Sequence, residues 1–340
     1  MTKRTLTFRE ALNEAIRLEM RRDPTVILIG EDVAGGATLP HLEAEGGSEW
    51  GGALGVTVGL AKEFGRKRVL DTPISESAIM GAAVGAAVTG LRPIAELMFV
   101  DFFGVCMDQI YNQGGKFRYM FGGKVQVPVV IRATIGAGLR AGAQHSGCHY
   151  SVFTHMPGLK TVVPSTPYDG KGLLISAIRD PDPILFFEHK LLYGMSGEVP
   201  EGDYTIPLGV ADIKRKGKDV TVVAIGRMVH FALEAAEKLA KNGMELEVID
   251  LRTLSPLDHK TVLESVRKTH RLVVVDEDNP RCSMACDIIA LVSTKAFDDL
   301  DAPPRMVTAP HTPVPFSPPL EDYYIPSVEK IISTIKSLVS

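Results

Sequence analysis

Val69-Leu-Asp-Thr-Pro-Ile-Ser-Glu76 joins an apolar strand, through a proline turn, to a glutamate that opens a helix. That helix is poor in bulky side chains, since it continues as Gly81-Ala-Ala-Val-Gly-Ala-Ala-Val-Thr-Gly90. The pattern places the Glu76 carboxylate at the end of a strand, where a flat ligand could lie close to the backbone. A glutamate in apolar surroundings resists ionisation and can share a proton with a ring nitrogen. The alternative is structural, because a first-turn glutamate stabilises the helix dipole by about 0.3–1 kcal/mol.

Strand and helix signals alternate on both sides of this stretch. Apolar strands are predicted near 26–29, 68–71, 92–97, 128–134, 160–163, 184–188, 220–225, 245–250, 272–276 and 305–308. Helices are predicted between them, including 53–64, 76–89, 102–120 and 167–179. This alternation favours parallel sheets covered by helices on both faces. We predict an α/β fold of two doubly wound domains.

The domain boundaries follow from a change in composition. A polar segment with prolines and glycines, 191–209, is predicted to link a first domain, 1–190, to a second, 210–340. The proline-rich tail from His311 to Pro326 is predicted to be extended and to lie on the surface, before a last helix.

The amino-acid composition indicates what class of protein this is. Hydrophobic residues make up 45% of the 340 residues and charged residues 23%, which is typical of a globular protein with ample core. A net charge of −4 gives no reason to expect nucleic acid or an anionic membrane as partner. Four scattered cysteines do not form a disulfide framework, and no apolar signal core or membrane-spanning run is visible. We therefore predict a reducing, cytoplasmic setting.

Common catalytic motifs do not identify a reaction. The loop Gly136-Ala-Gly-Leu-Arg-Ala-Gly142 has the spacing GxGxxxG rather than the GxGxxG of dinucleotide-binding turns, and GxxxxGK[ST], GxSxG and HExxH are absent from the sequence. His145, Cys148, His149 and His155 lack the paired spacing of a zinc site. His145 alone lies in a glycine-rich loop after a buried strand, where imidazole suits proton transfer, although an ordinary structural histidine is an equal alternative.

A set of motifs in fixed order is more specific. They are Gly30-Glu-Asp32, Asp71-Thr-Pro-Ile-Ser-Glu76, Leu91-Arg-Pro-Ile-Ala-Glu96, Ala143-Gln-His-Ser146, Pro157-Gly-Leu-Lys-Thr-Val-Val-Pro164, Asp250-Leu-Arg-Thr-Leu-Ser-Pro256 and His311-Thr-Pro-Val-Pro-Phe316. With them the chain resembles, over nearly its whole length, the β subunits of the thiamine-diphosphate-dependent first component of 2-oxo acid dehydrogenase complexes. The segments 49–57 and 117–123 are most similar to the acetoin dehydrogenase branch of this family.

The resemblance implies a transketolase-like pyrimidine-binding domain, a transketolase C-terminal-like domain and an α2β2 heterotetramer. It implies that Glu76 hydrogen-bonds the aminopyrimidine ring of thiamine diphosphate, that Ile74 lines the pyrimidine pocket and that Phe102 stacks on the ring. His145 is expected to act near the reacting carbon, in proton transfer and in passing an acyl group to a lipoyl arm. A K⁺ or other monovalent cation is expected at Val127, Val129, Val130, Ala177, Asp180 and Asp182.

Two further features bear on this resemblance. The chain has no GDG segment of the kind that anchors the diphosphate through Mg²⁺, so that part of the site is expected on the α subunit. After Ser146 the family often continues with Gln, whereas here Gly147-Cys-His-Tyr150 follows, close to where the side group of the substrate is expected.

The resemblance leaves several functions open. The first is cleavage of acetoin and reductive transfer of the acyl unit to a lipoyl-bearing acyltransferase core. The second is the same reaction on pyruvate or a branched-chain 2-oxo acid. A non-catalytic scaffold for the core and a self-sufficient transketolase-like enzyme are alternatives, of which the last is disfavoured because the diphosphate motif is missing.

Overall fold

The structure, a computed structural model, describes residues 3–35 and 51–339, which form two large sheets and one small one. The strands are β1 Lys3–Thr7, β2 Val26–Gly30, β3 Val69–Asp71, β4 Arg92–Phe99, β5 Val130–Ile135, β6 Lys160–Val162, β7 Ile184–His189, β8 Ser196–Pro200, β9 Asp212–Arg215, β10 Val220–Ala224, β11 Leu246–Asp250, β12 Thr253–Ser255, β13 Leu272–Val275 and β14 Arg305–Val307. Glu49 and Trp50, which belong to one of the acetoin-type segments, lie outside the described residues.

Helices cover these sheets and connect their strands. They span Phe8–Arg22, Leu60–Phe64, Glu76–Val88, Phe103–Met107, Gly115–Met120, Tyr150–Thr154, Pro167–Arg179, Met228–Ala240, His259–Thr269, Met284–Lys295, Pro318–Tyr324 and Val328–Val339. Within the described ranges, no helix is both long enough and apolar enough to cross a bilayer.

The sheets have the topology expected of doubly wound domains. The first has the strand order β12-β6-β7-β5-β4-β2-β3 and the second the order β14-β13-β10-β11-β9. Their inner strands run parallel and are mostly buried, whereas β9 and β12 pair antiparallel at the edges. Apolar, β-branched strands of this kind suit a sheet covered on both faces. The predicted fold class is confirmed.

Three details of the sequence prediction are wrong. The tail contains a helix, Pro318–Tyr324, because prolines at the first helical positions lose no hydrogen bond. The helix predicted over 53–64 is confined to Leu60–Phe64, since Gly55 and Gly59 have φ of +74° and +77°. The helix predicted over 102–120 is divided by a π-helical turn, Asp108–Gly114.

The division into 1–190, 191–209 and 210–340 stays a prediction. Within the expected linker, β8 pairs antiparallel with β1 at the start of the chain. From the expected second domain, β12 pairs antiparallel with β6 in the first sheet. The two halves of the chain are therefore joined by backbone hydrogen bonds as well as by side chains.

A buried cation links the three central strands of the first sheet. Arg132 on β5 is 2% exposed and donates to Glu188 on β7 at 2.6 and 2.8 Å and to Glu96 on β4 at 2.8 Å. Tyr193 donates its hydroxyl to the Glu188 carboxylate at 2.6 Å. Burial opposes the charge of Arg132, but the two carboxylates raise the pKa of the guanidinium above its ordinary value.

Replacing Arg132 with Met removes this cation and leaves two buried carboxylates without a counter-charge. We expect Arg132→Met to lower the free energy of unfolding by about 3–5 kcal/mol near neutral pH. Arg281→Met, at an exposed arginine, is the control and should change it by less than about 0.5 kcal/mol. Urea unfolding followed by circular dichroism measures both.

The loss in Arg132→Met should shrink as the pH is lowered. Burial already raises the pKa of Glu96 above its ordinary 4.5, and the variant lacks the charge that opposes this shift. A carboxyl whose folded pKa is raised costs stability as pH rises from its unfolded to its folded pKa. The deficit should therefore be smaller at about pH 5 than at about pH 7. A deficit that stays constant over this range would contradict the electrostatic explanation.

Candidate active site

The turn that carries the candidate acid is fixed to the neighbouring strand. Thr72 donates its backbone N–H to the carbonyl of Gly30 at 3.0 Å, and the Asp71 carboxylate accepts the N–H of Ala34 at 2.5 Å. Glu76 then begins the helix Glu76–Val88 and is half-buried. In the parts of the chain that the structure describes, the Glu76 carboxylate makes no hydrogen bond or ion pair.

The surroundings of Glu76 are acidic and partly shielded from water. Burial raises the pKa of Glu31, and the charges of Glu76, Asp32 and Glu96 raise it further. Burial also raises the pKa of the Cys106 thiol to about 12, again with a contribution from Glu76. Such surroundings favour protonated acids over charged ones. The shifts of Glu31 and Cys106 mark this part of the chain as acidic and partly desolvated.

Ile74 lies in the same turn and is 81% exposed. A large aliphatic side chain this exposed presents an apolar surface two residues before the Glu76 carboxylate. The expected role of Ile74 in lining the pyrimidine pocket stays a prediction.

The structure brings two of the predicted residues into contact. The rings of Phe102 and His145 pack edge to face with centroids 5.4 Å apart, and Phe99 packs against both, at 5.7 and 4.7 Å respectively. The helix that Glu76 begins is tied to the following segment, because the Ser77 hydroxyl donates to the carbonyl of Val105. Because β3 and β4 both run parallel to β2, the turn 72–76 and the aromatic cluster both lie at the carboxyl ends of strands of the first sheet.

Phe99 and Lys190 were missed as site residues by the sequence prediction. Lys190 is buried, lies with its ammonium 5.4 Å from the centroid of Phe99 and donates to the carbonyl of His145. Burial lowers the pKa of Lys190. Phe99 had a sequence signal, since it precedes Phe102 by three residues at a strand end, whereas Lys190 had none.

The possible metal ligands near His145 are not arranged as a metal site. Within the described residues, no three His, Cys, Asp or Glu side chains are grouped to hold a metal ion. Instead, His149 pairs with Asp101 at 3.5 Å, and this contact raises the pKa of His149. Cys148 is buried, and all four cysteines of the chain are free thiols.

The residues expected to bind a monovalent cation lie at the opposite end of β5. Val127, Val129 and Val130 precede or begin this strand, whereas His145 follows its carboxyl end. The Asp180 carboxylate accepts from Lys160 at 2.8 Å.

Asp182, the second carboxylate expected to bind the cation, also forms ion pairs. Asp182 pairs with Lys160 at 3.1 Å and with Arg118. The Ala177 carbonyl accepts the N–H of Asp180 at 3.2 Å. The carboxylates are thus already balanced by side-chain cations, and a bound cation stays a prediction.

The loop 136–142 approaches its neighbours very closely. Gly136 has φ of +94°, and a Cβ added there would lie 2.1 Å from Nε2 of His189. His189 is itself buried and pairs with Glu277 at 3.0 Å. Glycine is therefore required at 136 both by backbone conformation and by space.

Family comparisons agree with this architecture. Residues 4–196 match the transketolase pyrimidine-binding domain, and residues 209–331 match the transketolase C-terminal domain. A split-gene transketolase described as an inactive β4 tetramer has a similar structure, with a TM-score of 0.76 and 21% identity over 98% of each chain. At that identity the likeness shows the fold alone.

Curated relatives are much more similar in sequence. The β subunit of acetoin:2,6-dichlorophenolindophenol oxidoreductase from Bacillus subtilis is 62% identical over 99% of this chain and 98% of its own length. The protein of the same name from Cupriavidus necator is 63% identical over 98% of this chain and 97% of its own length. The β subunit of 2-oxoisovalerate dehydrogenase from Bacillus subtilis is 42% identical over 98% of both chains.

A pair of glycine substitutions can isolate the close approach at 136. Gly136→Ala and Gly90→Ala both place alanine at positive φ, +94° and +104°, but a Cβ at 90 meets nothing within 4 Å. We expect Gly136→Ala to destabilise the protein by about 1–3 kcal/mol more than Gly90→Ala does, because it also forces His189 aside. Urea unfolding measures the difference. Equal losses of unfolding free energy in the two variants would show that backbone strain alone explains the glycine at 136.

Proposed function

This chain belongs to the family of transketolase-related dehydrogenase β subunits, and we propose that it is the β subunit of a thiamine-diphosphate-dependent dehydrogenase that acts on acetoin. Sequence identity is the observation that supports acetoin as the substrate. This chain is 62 and 63% identical to two acetoin-oxidising relatives, but 42% identical to a 2-oxoisovalerate dehydrogenase subunit and 44% identical to a pyruvate dehydrogenase subunit. Each match covers nearly the whole chain.

The described residues fit the ring end of such a cofactor. Glu76 offers an unpartnered carboxylate in acidic, partly desolvated surroundings, Ile74 an exposed aliphatic surface and Phe102 an aromatic face. We propose that Ile74, Glu76 and Phe102 bind the pyrimidine ring. When bound, thiamine diphosphate would supply a nucleophilic carbon for attack on the substrate carbonyl and an electron sink for cleavage of the adjacent carbon–carbon bond.

Glu76 would then hold a proton against a ring nitrogen. Burial, followed by the charges of Glu76, Asp32 and Glu96, raises the pKa of Glu31 beside it. The backbone contact between Thr72 and Gly30 fixes the turn, so that little reorganisation is needed when the ring binds.

His145 would move protons near the reacting carbon. Its ring is held edge-on by Phe99 and Phe102, and its backbone carbonyl is held by Lys190. These contacts restrict the imidazole without occupying it with a charged side chain. A positioned imidazole of this kind typically contributes about 10²–10⁴-fold to proton transfer.

The proposed partners are inferred from the diphosphate-binding motif that this sequence lacks. We propose an α2β2 heterotetramer in which the α subunit binds the diphosphate and Mg²⁺, since this sequence has no GDG segment. The acyl unit would pass reductively to a lipoyl-bearing acyltransferase core in the cytoplasm. K⁺ near 177–182, and the division into domains 1–190 and 210–340, belong to the same proposal.

Replacing Glu76 with Gln tests the central role. We expect turnover of acetoin by the reconstituted heterotetramer to fall by about 10²–10⁴-fold, because the amide cannot take part in proton sharing. Turnover is measured with 2,6-dichlorophenolindophenol as electron acceptor. Glu264→Gln, at an exposed glutamate, is the control and should leave turnover unchanged. A loss of only a few-fold in Glu76→Gln would contradict the proposed role.

Comparing substrates tests the rest of the proposal. With its α subunit, the wild-type chain should turn over acetoin at least about tenfold more efficiently than pyruvate or a branched-chain 2-oxo acid. Equal or better turnover of pyruvate would favour the main alternative, a 2-oxo acid dehydrogenase subunit, which the 44% identity to a pyruvate dehydrogenase β subunit keeps open. Turnover by this chain without an α subunit would contradict the shared site.

A further inference from the structure

The loop that leads to His145 is inserted into the core of the second sheet. Ala137 is fully buried and packs in the same apolar cluster as Val222 on β10, Val273 on β13 and Ile325. The loop starts from β5 in the first sheet and reaches His145 after ten residues, since β5 ends at Ile135. One short segment therefore connects the second sheet to the candidate active site.

Two buried carboxylates hold this loop by its backbone. Glu277, which follows β13, accepts the N–H of Ala137 at 2.7 Å. Glu321, in the helix Pro318–Tyr324, accepts the N–H of Gly138 at 2.7 Å and the N–H of Arg140 at 3.2 Å. Both carboxylates come from the C-terminal half of the chain, and Glu321 is 0% exposed.

Each carboxylate also has a cationic or imidazole partner. The guanidinium of Arg140 donates to Glu321 at 2.6 Å, and His189 lies 3.0 Å from Glu277. Hydrogen bonds from backbone N–H groups to a buried carboxylate are stronger than those to neutral acceptors. Breaking one would leave a buried polar group without a partner, which is costly.

The loop is also closely packed by side chains. A Cβ added at Gly138, where φ is +105°, would lie 2.4 Å from Leu191, 3.3 Å from Arg227 and 3.5 Å from Ile325. The loop is thus held by two carboxylates and is in close contact with the segment after β7. That segment includes Lys190, which binds the carbonyl of His145.

We propose that Glu277 and Glu321 are positioning residues, which fix the loop 136–142 and thereby the orientation of His145. The C-terminal half of the chain then sets the geometry of an active site whose other proposed residues follow strands of the first sheet. The catalytic consequence rests on the proposed function, whereas the restraint on the loop does not.

Hydrogen–deuterium exchange of the full-length chain tests the restraint directly. Glu321→Gln replaces the carboxylate oxygen that accepts hydrogen bonds from Arg140 with an NH2 group, which can only donate. Exchange in the peptide spanning 136–145 should be at least about tenfold faster than in wild type. The control is Glu329→Gln, at an exposed carboxylate in the same C-terminal region, and its exchange in this peptide should match wild type. Unchanged exchange in Glu321→Gln would overturn the proposal.

Kinetics of the heterotetramer then test the link to His145. Glu321→Gln should lower kcat at least about tenfold and change KM less than about twofold, because substrate binding remains while the imidazole is misplaced. In a His145→Ala background the same substitution should change kcat less than about twofold. Equal losses in both backgrounds, or faster exchange without a loss of kcat, would overturn the positioning role.

A second variant covers the case in which Glu321→Gln does not fold. Gly138→Ala displaces the loop from the Leu191 side with both carboxylates intact, and it should give the same changes in exchange and kcat. If wild type turns over neither acetoin nor a 2-oxo acid, the proposed function fails, and the exchange experiment alone decides the restraint.

Discussion

The ion pairs of Arg132 determine where the candidate site can form. One guanidinium joins Glu96 on β4 and Glu188 on β7 to the central strand β5. Towards their carboxyl ends, β4 ends at Phe99, β5 continues into Gly136 and β7 continues into Lys190. Because an uncompensated buried carboxylate is unstable, the three strands cannot shift independently. The elements that carry the aromatic cluster and the glycine loop are therefore fixed at the carboxyl ends of the central strands.

The main elements of the fold are predictable from the sequence because their signals are local. The helix Pro167–Arg179 has the predicted bounds, since Thr166 caps it and proline occupies its first position. Strands such as Val220–Ala224 are nearly continuous apolar, β-branched runs of the kind buried in parallel sheets. The helix Pro318–Tyr324 was missed because proline density suggests an extended chain, whereas its buried residues, Glu321 and Tyr324, contact parts of the protein that are distant in sequence.

The candidate site was predictable in part. Glu76 and His145 stand in recognisable motifs, and the structure does bring Phe102 and His145 into contact. Their roles remain predictions. The residues that hold this geometry have no such signal, since Glu277 and Glu321 lie 140 and 183 residues from the backbone groups that they bind. A single sequence does not reveal contacts of this separation, because neither periodicity nor spacing encodes them.

The exposed features of the site are explained together if a second subunit and a ligand cover them. Ile74 presents an aliphatic side chain to water, and Glu76 has no partner among the described residues although it lies near Glu31. Each arrangement is unfavourable in the chain alone, since exposed apolar surface and clustered carboxylates both raise its free energy. Under the proposed function, a flat, partly basic ring bound here would bury the Ile74 side chain and share a proton with Glu76. Under that proposal, the features that are unfavourable in the chain alone are therefore the ones that the ligand would contact.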